Sequence, residues 1–292
     1  RDYYASRGLG DVYKRQDLVI GTGGYVTGTV LKTAIKCGIK TALHESNSLP
    51  GVSVKMLAPK ADLVMLGTED AKKHLGECKK CVVTGNPLRN NIPIEEKSAA
   101  RKRLGLPDCL TILSAGGSQG ASRLNEAVVQ LLAYEQKKGN INHIHGYGKH
   151  GRDTFMQSLE DNGVDAGNPH FIIKEYIDNM YTCMCASDLI ITRAGAMTLT
   201  EITAIGRASV LIPYPYAAEN HQYYNALTLQ NANAGRIIDD KELTGSVLID
   251  TVNRLADDPE LLRLMSENAA KLSKRDAAGI ILREITELMG IK

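Results

Sequence analysis

From Asp17 onward, short apolar and β-branched runs alternate with stretches in which apolar residues recur at the helical period. This alternation is typical of βαβ units, whose parallel strands are joined by crossover helices. Strands are predicted at 17–21, 39–44, 62–66, 81–84, 110–115, 141–146, 170–174, 188–192, 208–212 and 235–238. Helices are predicted between them, including 121–138, 197–205, 219–233, 246–256, 259–272 and 276–289. The pattern therefore predicts an α/β protein with doubly wound parallel sheets.

The length of 292 residues favours two domains rather than one. The stretch "NPLRNNIPIEEK" (86–97) has two prolines among polar residues, and we place the domain boundary within it, after residue 88. The segment 89–275 carries a full set of strands for a doubly wound domain, whereas 17–88 is short, so we expect a truncated first domain. We expect residues 276–292 to pack back on the first domain, and residues 1–16 to be a foreign leader.

Composition excludes several classes of function. No apolar run approaches the ~18 residues of a membrane span. The net charge of +2, the two phenylalanines and the absence of tryptophan argue against a nucleic-acid-binding surface. Six cysteines without a preceding secretion signal favour a reduced cytosol. Cys78 and Cys81 have the spacing of zinc ligands, but a second suitable pair is missing, so we expect free thiols and no metal.

Unusual residues collect just after the predicted strands. In a doubly wound sheet, this carboxyl edge is where ligands bind, because helix N-termini converge there. The segments are "GTGG" (21–24), "HESN" (44–47), "GNPLR" (85–89), "GGSQGA" (116–121), "EYI" (175–177), "RAGAMTLTE" (193–201) and "PYPYAAENHQYYN" (213–225). Two such edges that face each other would form a cleft.

The segment "GGSQGA" has the character of a phosphate-binding loop. Its glycines let the backbone approach a ligand, and Ser118 can cap the helix or bind an oxyanion. It lacks the Gly-Lys-Ser/Thr of the nucleoside triphosphatases. The next predicted strand runs into "NHIHGYG" (142–148), without the acidic residue that a nicotinamide site needs. A tight strand-to-helix turn explains the segment equally well.

The segment "RAGAMTLTE" adds a second possible anion site. Gly195 precedes a helix whose first amides, at 196–198, would hold a diphosphate without a metal. Glu201 either accepts the hydroxyls of a ribose or is merely favoured by the helix dipole. Arg193 is either a surface residue or a cation that faces an anion. No Asp-x-Asp occurs in the chain, which argues against a metal-chelated diphosphate.

Amide and imidazole groups at the start of the helix near 219 suit the hydroxyls of a sugar, although a solvated helix start has the same composition. Arg89 could lie over a base or a phosphate, or form an ion pair at a domain hinge. In "HESN", a buried and hydrogen-bonded His44 is the commoner explanation for such a histidine.

Taken in order, seven motifs closely resemble the MurG family of peptidoglycan glycosyltransferases from Asp17 to the C-terminus. They are "GTGGYVTG", "HESNSLPG", "GNPLR", "GGSQGASRLN", "YIDNM", "RAGAMTLTEI" and "PYPYAAENHQYYNA". That family transfers N-acetylglucosamine from UDP-N-acetylglucosamine to the C4 hydroxyl of the muramoyl sugar on undecaprenyl diphosphate, which converts lipid I into lipid II. The resemblance implies a GT-B fold with two Rossmann-like domains facing a cleft, inversion at the anomeric carbon, no metal and no cofactor.

Position by position, the resemblance places the donor in the second domain. The backbone of Ile177 would contact uracil, and Glu201 would bind the ribose hydroxyls. The residues expected at the diphosphate are Ser118, Ala196, Met197 and Thr198.

The resemblance also assigns the sugar contacts. Gln222 and Asn225 would hold the N-acetylglucosamine hydroxyls, with His221 at a position where some relatives carry glutamine. Arg89 and Asn47 would close over the donor from the hinge and the first domain.

The family's first glycine-rich loop, which carries a histidine near the acceptor, is missing from the sequence, so His44 is the candidate catalytic base. Implied partners are UDP-N-acetylglucosamine, the lipid-linked acceptor and the inner leaflet, with the enzyme peripheral on the cytoplasmic face and active in cell shape and division. Four alternatives stay open: a UDP-N-acetylglucosamine 2-epimerase, another GT-B transferase, a fragment that binds the donor without activity, and a dehydrogenase.

Overall fold

The computed structural model describes residues 16–89, 92 and 94–291. These residues separate into two compact units. The first unit holds the described residues up to Leu88 together with those from Lys274 onward, and the second is Arg89–Ser273. Of the leader predicted at 1–16, only Gln16 lies within the described residues. The truncation of the first domain and the cleft between the domains stay predictions.

A four-stranded parallel sheet, in the order β1-β2-β3-β4, forms the centre of the first unit. Its strands are β1 (Leu18–Gly21), β2 (Lys40–Glu45), β3 (Leu63–Leu66) and β4 (Cys81–Val83). The connections contain helix α1 (Gly24–Lys36), helix α2 (Val52–Leu57) and a 3₁₀ helix (Asp70–His74). Side chains alternate across a strand, so Leu43 packs with α1 and α2 while its neighbour Ala42 belongs to the opposite face.

The last helix (Ala277–Met289) covers that opposite face. Its residues Ile281, Ile285 and Leu288 lie at helical spacing and pack against buried strand residues of the first unit. The ammonium group of Lys80, on the sheet side, lies 2.7 Å from a carboxylate oxygen of Glu284. The helix is thus joined to the sheet by an apolar stripe and an ion pair beside it.

A six-stranded parallel sheet forms the centre of the second unit. Its strands are β5 (Leu110–Ala115), β6 (Ile141–Gly146), β7 (Phe171–Lys174), β8 (Leu189–Thr192), β9 (Ala208–Leu211) and β10 (Gly235–Ile237). Their order in the sheet is β10-β9-β8-β5-β6-β7. Counted from the first strand of the unit, this is the 3-2-1-4-5-6 order of the Rossmann fold.

Helices lie on both faces of the second sheet. They are α3 (Lys97–Leu104), α4 (Ser122–Lys138), α5 (Phe155–Asp161), α6 (Met180–Ala186), α7 (Ala196–Ile205), α8 (His221–Asn231), α9 (Gly245–Ala256) and α10 (Pro259–Lys271). Short 3₁₀ helices occupy Lys149–Gly151, Ala218–Asn220 and Asp240–Glu242. Ile112 and Ile191 belong to the core on the α4 and α9 side, whereas Leu113 and Ile190 belong to the core beneath α6 and α7.

The predicted fold class is confirmed. All ten predicted strands occur, and their ends agree with the prediction to within one residue. The helix predicted at 219–233 is shorter, because its first residues form a separate 3₁₀ helix and α8 begins only at His221. Within the described part of the chain, no helix combines the length and the apolar character needed to cross a membrane.

Candidate functional site

The second unit has its topological switch point between β5 and β8. These strands are neighbours in the sheet, but the chain leaves β5 toward β6 and β7 and leaves β8 toward β9 and β10. Their carboxyl ends are in register, with Ala115 opposite Thr192. The crevice beyond such a point is where open α/β sheets bind ligands. It is bordered here by the β5–α4 and β8–α7 loops, two of the segments singled out in the sequence.

The β5–α4 loop lies directly against the backbone that follows β6. Gly120 has a φ of 85°, and a Cβ atom there would collide with the carbonyl oxygen of Tyr147. A Cβ atom on Gly148 would in turn collide with the backbone of Gly120. The amide of His150 donates a hydrogen bond of 2.8 Å to the carbonyl of Gln119. This close approach explains the glycines and leaves the side chain of Ser118 exposed.

The five helices that follow β5 to β9, which are α4 to α8, begin without a side-chain cap. Beside the switch point, the N-cap residues are Ala121 for α4 and Gly195 for α7, and α8 begins after Asn220. By contrast, Thr244 and Asp258 accept hydrogen bonds from the first-turn amides of α9 and α10. Uncapped amides carry the positive end of the helix dipole, so the starts of α4 and α7 beside the switch point favour an anion.

Glu201 lies on α7 and is half-buried. Burial raises the pKa of its carboxyl group above the ordinary value, while a hydrogen bond from Tyr181 and the charge of Arg89 act in the opposite direction. The Tyr181 hydroxyl donates that bond, at 2.9 Å, to Oε1 of Glu201. The exposed Arg89 guanidinium is thus electrostatically coupled to both residues. Glu201 and Arg89 were predicted from separate segments of the sequence, and Tyr181 was missed. The structure brings the three side chains together.

Gln222 connects two loops through its side-chain oxygen. Oε1 accepts hydrogen bonds from the amides of Ala194 (3.1 Å) and Tyr214 (3.0 Å). The buried Asn225 donates from Nδ2 to the carbonyl of Ala194 at 3.2 Å. Both residues predicted to bind the sugar therefore also hold the β8–α7 loop. For Gln222, the NH₂ group is the end that can face a ligand.

A strained turn precedes α8. Glu219 (φ 51°) and Asn220 (φ 56°) are consecutive non-glycine residues in the left-handed region. Such conformations cost on the order of 1 kcal/mol or more each and persist only where the surroundings hold them. The next residue, His221, donates from Nδ1 to the carbonyl of Ala218 at 2.9 Å. That bond leaves Nε2 of the neutral ring as the hydrogen-bond acceptor.

Arg193 is mostly buried and braces the same edge. Its guanidinium lies 2.6 Å from a carboxylate oxygen of Asp240 and donates to the carbonyls of Ile212 and Pro213. It also lies over the Tyr214 ring, 5.7 Å from the centroid. Arg193 is therefore not a surface residue, and the anion that its guanidinium faces is the Asp240 carboxylate.

The remaining predicted residues of the second unit lie on the same carboxyl edge. Ile177 lies in the loop after β7 with its side chain buried, and a Cβ atom on Gly146 would lie 3.2 Å from its Cδ1. Its neighbour Tyr176 is 60% exposed. Ala196 and Thr198 are partly exposed in the first turn of α7, and the Met197 side chain is 42% exposed.

His44 and Asn47 belong to the first unit. His44 is buried, and its Nε2 donates to the carbonyl of Gly85 at 3.1 Å. Asn47 donates from its backbone and from Nδ2 to Oε1 of the buried Glu45, at 2.9 and 3.1 Å. Glu45 also accepts a bond from the amide of Gly51. Glu45 therefore organises the "HESN" loop.

Sequence reasoning missed a buried polar cluster between β5, β6 and α4. Oε2 of Glu135 lies 2.7 Å from Nδ1 of His143, and Nε2 of the same ring lies 2.7 Å from Oγ of Ser114. Ser114 Oγ also lies 2.7 Å from Nδ1 of His145. The order Ser–His–Glu matches that of hydrolase triads. Glu135 is 1% exposed and the other three side chains are 0% exposed, so no face of the cluster is open to a substrate, and we interpret it as structural. The sequence signal for this cluster is that His143 and His145 lie two positions apart in a buried strand, so that both side chains lie on the same face of the sheet.

Comparison with known proteins gives the family. Residues 111–280 match the model of the glycosyltransferase family 28 C-terminal domain, and residues 12–66 match the N-terminal domain of the same family. The chain is 38% identical over 275 residues to a protein of Desulforamulus reducens, covering 94% of this chain and 74% of that protein. It is 40% identical over 270 residues to a protein of Desulfitobacterium hafniense, covering 92% and 73%. Both relatives are named UDP-N-acetylglucosamine–N-acetylmuramyl-(pentapeptide) pyrophosphoryl-undecaprenol N-acetylglucosamine transferase.

Solved structures agree with these relatives. The chain is similar to MurG of Acinetobacter baumannii, with a TM-score of 0.78 and 27% identity over 98% of this chain and 77% of that one. It also shares its fold with the UDP-GlcNAc 2-epimerase of Neisseria meningitidis, solved with UDP-GlcNAc bound (TM-score 0.64, 15% identity, 96% and 80% covered).

Proposed function

The chain belongs to glycosyltransferase family 28, and we propose that the donor of its reaction, UDP-N-acetylglucosamine, binds at the switch point of the second unit. The fold is GT-B. The chain is an N-acetylglucosaminyltransferase of the MurG kind, which transfers N-acetylglucosamine to lipid I in peptidoglycan synthesis. The observation that carries the proposed site is the pair of uncapped helices, α4 and α7, beside one crevice.

The diphosphate fits the starts of these two helices. The amides of Ala196, Met197 and Thr198 form the first turn of α7, and Ser118 offers an exposed hydroxyl in the neighbouring loop. Backbone amides and dipoles hold two phosphates without a metal. We therefore propose metal-independent transfer.

The nucleoside would extend along the same edge. Glu201, with its carboxylate held by Tyr181, would accept hydrogen bonds from the ribose hydroxyls. The backbone of Ile177 would contact uracil, with the exposed ring of Tyr176 beside it. Arg89 is coupled to Glu201 and would lie near the base or ribose.

The sugar would lie at the start of α8. The NH₂ group of Gln222 and the acceptor nitrogen of His221 offer a donor and an acceptor for its hydroxyls. Asn225 supports the same loop from beneath. We also place Asn47, from the first unit, among the donor-binding residues on the resemblance alone.

In the transfer, the C4 oxygen of the acceptor forms a bond to the anomeric carbon while the bond from that carbon to the UDP oxygen breaks. A single displacement inverts the configuration. Negative charge develops on the departing UDP, and the preorganised amides of α4 and α7 stabilise it. A base must take the proton from the acceptor hydroxyl.

His44 is our candidate for that base. Its Nε2–H bond to Gly85 leaves Nδ1 of the neutral ring unprotonated, which is the state that a base requires. We expect His44→Gln to lower kcat by about 10²- to 10⁴-fold while the donor Kd stays unchanged. An unchanged kcat in steady-state assays would leave His44 with a structural role.

We place the enzyme on the cytoplasmic face of the membrane, bound peripherally through the first unit. Tyr25 and Val26 of α1 and Val52 and Met56 of α2 are exposed apolar side chains, with more than half of each accessible. Lys55 lies on α2, the helix that carries Val52 and Met56. Apolar residues beside a cation suit a surface that carries anionic lipids.

Transfer is tested with lipid I and labelled UDP-N-acetylglucosamine in the presence of EDTA. The expected product is a β-linked disaccharide lipid, formed at the same rate with and without the chelator. Loss of activity in EDTA would contradict metal independence. Conversion of the donor alone into the manno sugar would identify an epimerase, and donor binding without turnover would identify an inactive fragment.

A further inference from the structure

Tyr181 lies outside every segment that the sequence analysis assigned to the donor. It is the second residue of α6, and its ring packs against the buried core beneath α6 and α7. Its hydroxyl reaches across to α7 and donates a hydrogen bond of 2.9 Å to Oε1 of Glu201. The ring is therefore anchored by packing, and its one polar atom is directed at a proposed ligand-binding carboxylate.

The bond has a defined direction. Burial raises the pKa of the Tyr181 hydroxyl above its ordinary value, and the Glu201 carboxylate raises it further. The hydroxyl is thus protonated at neutral pH and is the donor, while the carboxylate is the acceptor. An ionised carboxylate has about four lone-pair sites. One of them is used by Tyr181, and the others stay available for a ligand.

A free glutamate side chain has several rotatable bonds, so ordering it on binding costs conformational entropy. A carboxylate that is already held by a packed tyrosine has less freedom to lose. Two adjacent hydroxyls also need a carboxylate plane of fixed orientation. The bond from α6 supplies both conditions before the ligand arrives.

We propose that Tyr181 is a positioning residue, which fixes the Glu201 carboxylate for the vicinal hydroxyls of a ribose and so sets the preference for a ribonucleotide over its 2′-deoxy form. This inference rests on the proposed role of Glu201 in donor binding. It assigns Tyr181 no contact with the ligand.

The test compares UDP with 2′-deoxy-UDP by titration calorimetry on the full chain. In the unmodified protein, 2′-deoxy-UDP should bind about 10-fold more weakly, because one hydroxyl partner of Glu201 is lost. Tyr181→Phe keeps the ring and removes only the hydroxyl. It should weaken UDP about 5-fold and 2′-deoxy-UDP much less, so that the ratio of the two Kd values falls to about 2.

Two further variants complete the design. Glu201→Gln should also bring the ratio close to 1. Tyr134→Phe, on α4, removes a hydroxyl from a ring that contacts Lys138, and should keep the ratio of the unmodified protein. Thermal unfolding followed by circular dichroism checks that each variant is folded.

A purely structural tyrosine would change both affinities equally and keep the ratio near 10. That result for Tyr181→Phe, together with a reduced ratio for Glu201→Gln, would overturn the inference and leave the proposed donor site standing. An unchanged ratio for Glu201→Gln would overturn the ribose role of Glu201 and the inference with it.

Discussion

At the scale of the residue, two side chains at the switch point each have a structural contact and a proposed contact with the ligand. Gln222 uses its oxygen to hold two loops, while its NH₂ group is the end proposed to meet the sugar. Glu201 has one oxygen bonded to Tyr181 and is proposed to bind ribose with the rest. Substitutions that remove the whole side chain therefore mix folding with binding, and isosteric ones separate them.

Gln222→Glu keeps an oxygen for the amides of Ala194 and Tyr214 but replaces the NH₂ donor with a second acceptor. We expect the midpoint of thermal unfolding to change little, and UDP-N-acetylglucosamine to bind weaker by about 1 to 3 kcal/mol. Gln222→Ala should lower both the unfolding midpoint and the affinity. Donor affinity of the Glu variant equal to that of the unmodified protein would remove Gln222 from the sugar site.

We expect His145 to make the stability of the fold depend on pH. Burial holds its pKa well below the usual value, with the neighbouring His143 acting in the same direction. In the unfolded chain its pKa is about 6.5, so below that pH the unfolded state binds a proton that the folded state does not. The free energy of unfolding should therefore fall as pH drops below about 6.5, by up to about 1.4 kcal/mol per pH unit from this residue.

Urea unfolding at pH 7, 6 and 5 measures this dependence. His145→Asn should lose stability less steeply with falling pH, even if it is less stable at pH 7. Equal slopes for the variant and the unmodified chain would show that other groups cause the acid sensitivity.

At the scale of the element, the β5–α4 loop depends on the backbone that follows β6. Both Gly120 and Gly139 have positive φ, but a Cβ atom on Gly120 would meet the carbonyl of Tyr147, whereas one on Gly139 meets nothing within 4 Å. Gly139 is the C-cap of α4 and thus reports on backbone strain alone. Alanine substitutions at these two glycines therefore separate the cost of backbone strain from the cost of a steric collision.

We expect Gly139→Ala to destabilise the protein by about 1 kcal/mol, and Gly120→Ala by a further 1 to 3 kcal/mol or so. Since the loop must shift to relieve the collision, Gly120→Ala should also weaken binding of UDP, while Gly139→Ala should not. Chemical denaturation and calorimetry measure the two effects. Equal losses of stability for Gly120→Ala and Gly139→Ala would mean that the β5–α4 loop does not pack against the carbonyl of Tyr147.

The strands and helices could be predicted from the sequence, because buried parallel strands such as "LIIT" (189–192) are short apolar runs that end at glycine or polar residues. The same strand ends define one edge of the sheet, and the proposed donor site lies at that edge. The bond from Tyr181 to Glu201 could not be predicted, because it joins residues 20 positions apart on two helices and leaves no periodic signal. The Ser114–His143 pair and the ion pair of Arg193 with Asp240 are of the same kind.

At the scale of the whole molecule, the described chain contains a four-stranded unit and a six-stranded unit, each with its own core. The chain covers about three quarters of the length of its curated relatives. Most of the residues proposed to bind the donor lie in the second unit, around one switch point. The proposed donor site therefore depends mainly on the second unit.

Titration calorimetry with UDP-N-acetylglucosamine in EDTA tests metal-independent donor binding at the switch point. We predict that the donor binds in the presence of the chelator, more tightly than UDP alone and much more tightly than ADP or NAD. Helix N-termini and uncharged amides are proposed to hold the diphosphate, so EDTA should leave the Kd unchanged. Binding that disappears in EDTA, or equal affinities for UDP-N-acetylglucosamine and the adenine nucleotides, would contradict it.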